Sequence, residues 1–165
     1  MEEVMGLIET KDELQGLLVV MGSLSHGLEK VLGRGAETVT FRAGRTVGLK
    51  SGITQQESDV MAALGKVAEA LRGQGIEWPF EAWKPASASS FVYDKEGKQA
   101  VKLVFRNCMV RCALFRYGHE QTQSLCMMNH GLFCGYVQKI TGKRADLDIL
   151  HAGENACLKE LILHP

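Results

Sequence analysis

The sequence predicts an α+β domain: N-terminal helices packed on an antiparallel sheet, with a C-terminal helix and strand pair. Three observations carry this. Apolar residues recur every three or four positions between residues 2 and 71, the spacing of one helix face. The middle of the chain, "SASSFVYDKEGKQAVKLVFRN", has two β-rich runs flanking turn residues. Beyond it, a helix-like stretch precedes two short runs, "RADLDILHA" and "ACLKELILH", that read as strands.

Val4, Leu7, Ile8, Leu14, Leu17, Leu18, Met21, Leu24, Leu28 and Leu32 predict a helix over 2–32. Gly6, Gly16 and Gly22 are the places where it would break in two, and "GRG" at 33–35 stops it. The next stretch, "AETVTFRAGRTVGLKSG", carries conflicting signals. Its Thr and Val content favours a strand, but Val39, Ala43, Val47 and the Gly44/Gly48 pair fit one helical face, and helix is the reading taken. Val60, Ala63, Leu64, Val67, Ala68 and Leu71 make a third helical stripe, ended by Gly73 and Gly75. Trp78 to Pro85 reads as an extended connection, because its prolines disfavour helix. Hairpin strands are expected near 87–94 and 99–106 around Asp94-Lys95-Glu96-Gly97. A final helix is expected over 124–141, closed by Gly142.

At 165 residues, with 45% hydrophobic and 23% charged residues, the chain is that of one globular domain, 1–165. Its formal net charge of zero and scattered basic residues give no field or groove for nucleic acid. No apolar run reaches the roughly 18 residues of a membrane span. The acidic start, "MEEVMGLIETKDEL", lacks the layout of a signal peptide. A cytoplasmic protein is therefore expected, whose thiols stay reduced.

The chemistry concentrates in the cysteines and histidines. Cys108 and Cys112 follow the hairpin; Cys126, Cys134 and Cys157 lie beyond. In a helix over 124–141, Cys126, His130 and Cys134 stand at i, i+4 and i+8 and share a face. Gly131 and Gly135 form a second stripe, which implies close approach of another backbone. Cys134, between Phe133 and Gly135, reads as a packing residue. His151 precedes the Gly153 turn and Cys157 follows it, so the two can point at one centre. No C-x2-C knuckle is present, so any metal site must be assembled in three dimensions. A nucleophilic pair, Cys157 with His151 or Cys126 with His130, lacks an orienting third group in the sequence. Dinucleotide and phosphate-loop motifs are absent too: "GRGAET" and "GLKSG" fail their glycine patterns.

"LSHGLEKVLGRGAETVTFRAGRTVG" resembles the opening of 4-vinyl reductase domains, where a helix, a Gly-containing break and a Gly-x3-Gly segment follow one another. The tail resembles that family through Cys126, Gly131, Gly135-Tyr136, Gly142-Lys143, Gly153 and Cys157 in order. The likeness covers most of residues 20 to 163. It implies the fold of vesicle-tethering-complex subunits, a homodimer, an apolar ligand held between helices and sheet, and a structural zinc on Cys126 and Cys157. The chain departs from the family where Ile149 stands in place of a further Cys, and its segment from Lys143 to Gly153 is shorter than usual.

The expectation that results is a module binding or sensing a small hydrophobic or tetrapyrrole-like molecule, with no catalysis of its own. It would carry a Cys-rich metal centre, zinc or an iron–sulfur cluster, on Cys108, Cys126 and Cys157 with Cys112 or His151 as the fourth ligand. Phe41, Trp78, Phe80, Trp83, Phe91 and Tyr93 would line the pocket. The chain carries no effector segment of its own, so a signal would pass through a separate effector protein. The alternative is a redox or reductase accessory protein built on a cluster or an open metal site.

Overall fold

The computed structural model describes residues 2–54, 56–108, 110 and 123–165, with side chains from residue 15 onward. Among these it contains four helices and five strands: α1 (Glu2–Leu32), α2 (Gly35–Leu49), α3 (Val60–Gly73), β1 (Phe80–Trp83), β2 (Val92–Lys95), β3 (Lys98–Arg106), α4 (Ser124–Thr141), β4 (Ala145–Ala152) and β5 (Ala156–Leu163). The α+β expectation holds, with a sheet that is antiparallel throughout.

Local chemistry explains most boundaries. The Asp59 side chain accepts from the Ala62 N–H at 2.7 Å and so caps α3. Gly142, at φ +71°, closes α4 in the left-handed conformation. The hairpin turns on Glu96 and Gly97, both at positive φ, as a two-residue turn between twisted strands requires. Two expectations need correction. Helix α1 runs unbroken through its glycines. The Trp78–Pro85 connection contains strand β1, which pairs Phe80 with Phe105 and Trp83 with Lys102. A strand of four residues is too short for its sequence alternation to announce it.

The sheet runs β1-β3-β5-β4, and β2 joins the same edge of β3 as β1, end to end with it. One face carries Val101, Leu103, Phe105, Leu147, Leu161 and Leu163 and packs on α3 and α4 to form the core. Helix α4 in turn crosses α2 at backbone contact. A Cβ on Gly131 would overlap the Phe41 carbonyl, and one on Gly135 would lie 2.9 Å from the Gly48 Cα. Helix α1 is tied to the start of α4: the Glu29 carboxylate accepts from the Ser124 N–H at 3.1 Å, and Ser25 and Ser124 share a buried hydroxyl contact of 2.5 Å.

On the opposite face, Glu160 is buried and accepts from Tyr93 Oη and Lys95 Nζ. Burial works against its ionisation, but the bonds from Lys95 and Tyr93, with the charges of Lys95 and Lys102, outweigh this and hold its carboxyl below the usual range. A depressed folded pKa means that its stabilisation is present above the unfolded carboxylate value and lost as pH falls through the folded one. We therefore expect Glu160→Gln to cost about 1 kcal/mol at neutral pH. In urea titrations the gap from wild type should close below the ordinary carboxylate range of about pH 4.

Candidate functional site

Three elements bring cysteines to one end of the core. Asn107, at φ +48°, turns the chain out of β3, and Cys108 follows it against the core. Cys126 lies in the first turn of α4, where the helix dipole favours negative charge. Cys108 and Cys126 both pack against Val110 and Leu125, with Leu18 and Met21 of α1. Cys157 pairs across the sheet with Phe105 and lies on the core face of β5.

Two residues further on, in the same inward phase of β5, stands Lys159. It is 4% exposed. Its Nζ lies 2.7 Å from His130 Nε2 and sits over the rings of Trp78 and Phe105, 4.6 and 4.5 Å from their centroids. Burial lowers its pKa, while the thiols act in the opposite direction, Cys108 first, then Cys126, Cys157 and Cys134. His130 is fully buried, one helical turn from Cys126 on the same face. Burial, and next the Lys159 charge, push its pKa down to about 3, so the ring is neutral. A protonated Lys159 would donate to Nε2 and leave the ring proton on Nδ1. Nδ1 is buried without a hydrogen-bond partner among the described residues.

The predicted ligands separate. Cys108 and Cys126 share one small apolar cluster and Cys157 lies on the core face of β5, whereas Cys112 lies outside the described residues. Cys134 is fully buried in the core, and burial raises its thiol pKa. His151 is turned away from the thiols. An unbroken ladder from the Ile149–Lys159 pair would set His151 against Cys157, but a bulge intervenes. Ala152 pairs with Cys157 instead, and His151 pairs with Leu158, exposed on the other face. Among the described residues, no three His, Cys, Asp or Glu side chains are arranged to hold a metal ion by themselves.

The predicted pocket residues also divide. Phe41 is partly buried against the core. Trp78 and Phe80 join Phe105 and Phe133 in an aromatic cluster, with Trp78–Phe105 centroids 4.6 Å apart, and border a 280 Å³ cleft with Ala68, Leu71 and Ile76. Trp78 Nε1 is buried without an acceptor among the described residues. Trp83, Phe91 and Tyr93 line a different, 220 Å³ cleft with Lys84 and Lys102. Lys159 and His130 as a pair were missed by sequence reasoning. The readable signal was a lysine in the apolar phase of "CLKELIL".

No family model matches this chain, and no curated protein does. Eleven chains of known structure match. One is the crystal structure of the phenol-responsive sensory domain of the transcription activator PoxR with phenol. It aligns with a TM-score of 0.61 and 16% identity over 88% of this chain and 73% of that one. The likeness is one of fold. Among the described residues no helix is long and apolar enough to cross a membrane.

Proposed function

We propose that this chain is a small-molecule-binding sensory module of the 4-vinyl reductase type, with a thiolate metal centre in its C-terminal half. The observation behind the reading is that Cys108 and Cys126 pack against one small apolar cluster while Cys157 lies on the core face of β5 beside Phe105, near the end of β3 that leads to Cys108. Thiolates from separate elements are the donors that structural zinc and iron–sulfur centres use. The donor chemistry therefore fits a zinc or iron–sulfur centre. The described residues do not complete a ligand set, and with His151 on the outer face Cys112 is the candidate for the fourth ligand. Bound metal would clamp strand, helix and strand together.

The 280 Å³ cleft beside Trp78 supports the binding half. Pockets for drug-sized ligands run from roughly 300 Å³ upward, so the volume favours a one-ring molecule over a tetrapyrrole. The phenol in the neighbour's structure has that size. The Trp78 N–H would donate to a ligand hydroxyl, ending its unsatisfied state. In this reading the module binds its ligand and does not convert it. An all-thiol donor set favours a second reading, a redox accessory protein with a cluster.

Anaerobic purification followed by metal analysis and absorption tests the centre. Zinc gives a colourless protein, a cluster a brown one, and metal-free protein ends the reading. Titration with phenol, followed by tryptophan fluorescence, tests the cleft. Trp78→Phe keeps the bulk and removes the donor, and should weaken phenol binding about tenfold, the worth of one buried hydrogen bond. Unchanged affinity would move the ligand elsewhere.

Assembly as a homodimer is part of the same proposal. Leu17, Val20, Leu24 and Val31 make an exposed stripe on α1, with Leu24 62% and Val31 82% exposed. Leu18 and Met21 turn toward the chain's own Val110 and Leu125, while the side chains of Val4, Leu7 and Leu14 lie outside the described residues. Light scattering should give about twice the 18.1 kDa of one chain, and Leu24→Glu should return it to one.

A further inference from the structure

We infer that the 220 Å³ cleft beside Trp83 is a second binding site, one that takes a small aromatic carboxylate, with Lys102 as the residue that selects the charge. It is separate from the Trp78 cleft and from any metal, because it lies on the sheet face turned away from the core. The topology builds it. Strands β1 and β2 pair with successive stretches of one edge of β3, residues 102–105 and 98–101, and the chain from 84 to 91 leaves the sheet between them. Trp83 pairs with Lys102, and Tyr93 pairs with Ala100, two residues before Lys102, so all three side chains stand in the outward phase at this junction. The departing segment forms the outer wall and is held by its own hydrogen bonds. The Ala88 N–H donates to the Pro85 carbonyl at 3.0 Å, Lys84 Nζ donates to the Ala88 carbonyl, and the Val92 N–H donates to Ser90 Oγ at 3.1 Å.

The lining joins exposed rings to cations. Trp83 is 41% and Phe91 38% exposed. Lys102 Nζ lies 5.7 Å from the centre of the Trp83 ring and 5.9 Å from that of Tyr93, and Lys84 Nζ lies 5.5 Å from that of Phe91. These cation–π contacts hold both ammonium groups beside the rings. Among the described residues neither lysine has a carboxylate within ion-pair distance. Glu160 stands opposite Lys102 on β5, but it already accepts from Tyr93 Oη and Lys95 Nζ. The lining thus carries two positive charges and no negative one. A ring carboxylate matches both features: the ring stacks on Trp83 or Phe91, and the oxygens accept charge-assisted bonds from Lys102. A neutral phenol would leave the lysines unmatched, and an inorganic anion would leave the rings so. The volume sets the size at one ring, below the roughly 300 Å³ at which drug-sized pockets begin.

The test is titration of the intact chain with benzoate and with benzamide, its neutral counterpart, read on the indole N–H resonances of protein labelled with 15N at tryptophan. The chain has two tryptophans, and Trp83→Phe assigns their signals. Benzoate should shift the Trp83 resonance saturably, and benzamide should bind at least about tenfold more weakly, the worth of a hydrogen bond to a charged group. Lys102→Met keeps the apolar stem, removes the charge and should bind the two probes alike. A Trp83 resonance that benzoate leaves in place, a benzoate shift confined to Trp78, or equal affinities for the two probes in wild type overturns the inference. So does a Lys102→Met variant that keeps the preference for benzoate. If that variant does not fold, the comparison in wild type decides. Phenol that shifts Trp78 while benzoate leaves Trp83 unmoved would overturn this site and leave the core cleft standing.

Discussion

Gly131→Ala is expected to be among the most damaging single substitutions in this protein, although it adds one methyl group. The new Cβ would overlap the Phe41 carbonyl oxygen and come within 2.9 Å of the Arg45 nitrogen. Both are main-chain atoms of α2, so no side chain can swing aside. The helices must separate, which opens the packing along their whole crossing. Overpacking into side chains costs about 1–3 kcal/mol, and overlap with backbone belongs at or above the top of that range. That is a large share of the 5–15 kcal/mol that holds typical domains together. Gly44→Ala should behave alike, because its Cβ would overlap the Met128 carbonyl. Gly65→Ala is the control: nothing lies within 4 Å in the interior of α3, and alanine there should stabilise by about 0.5–1 kcal/mol. Urea unfolding midpoints of the three variants check the contrast. A Gly131→Ala midpoint near wild type would mean that the crossing is looser than described.

The second large effect concerns the thiols. Cys126→Ser and Cys157→Ser should each abolish metal binding, because a neutral hydroxyl is a far poorer ligand than a thiolate. Since metal affinity is folding free energy in such a centre, both should lower the melting temperature by roughly 10 °C or more. Cys134→Ser also destabilises, by about 1–3 kcal/mol, since it buries a hydroxyl in the core. It should nonetheless keep its metal. Melting temperature alone cannot separate the three, so metal content per chain is the deciding measurement. Full metal in both Cys126→Ser and Cys157→Ser would return those cysteines to the core.

The helices were legible because their signals are local. The Val60 to Leu71 stripe and the Gly142 stop need no tertiary knowledge, and the Gly131/Gly135 pair in α4 announced close backbone approach before its partner was known. The placement of the cysteines and histidines was legible only in part, because it depends on strand phase. His151 and Cys157 flank a tight turn and look convergent, yet one inserted residue between Ile149 and His151 reverses which face the histidine occupies. Bulges leave little trace in composition. Lys159 was overlooked for a related reason: its burial comes from α4 and Trp78, which lie far from it in sequence. The aromatic residues were recognised as a set, but the sheet divides them. Phe80 faces the core as the partner of Phe105, while Trp83, Phe91 and Tyr93 line the separate cleft with Lys102.

The crossing of α2 and α4 also has a consequence in time. Its two halves, around Gly44 and Gly131, are about 90 residues apart in the chain. At ribosomal rates of roughly 5–20 residues per second, α2 is complete several seconds before α4 has been synthesised. During that interval the small-residue groove of α2 has nothing to occupy it, and α2 alone is 15 residues long, close to the length at which isolated helices are marginal in water. Helix α2 therefore waits for α4 before it acquires a stable shape.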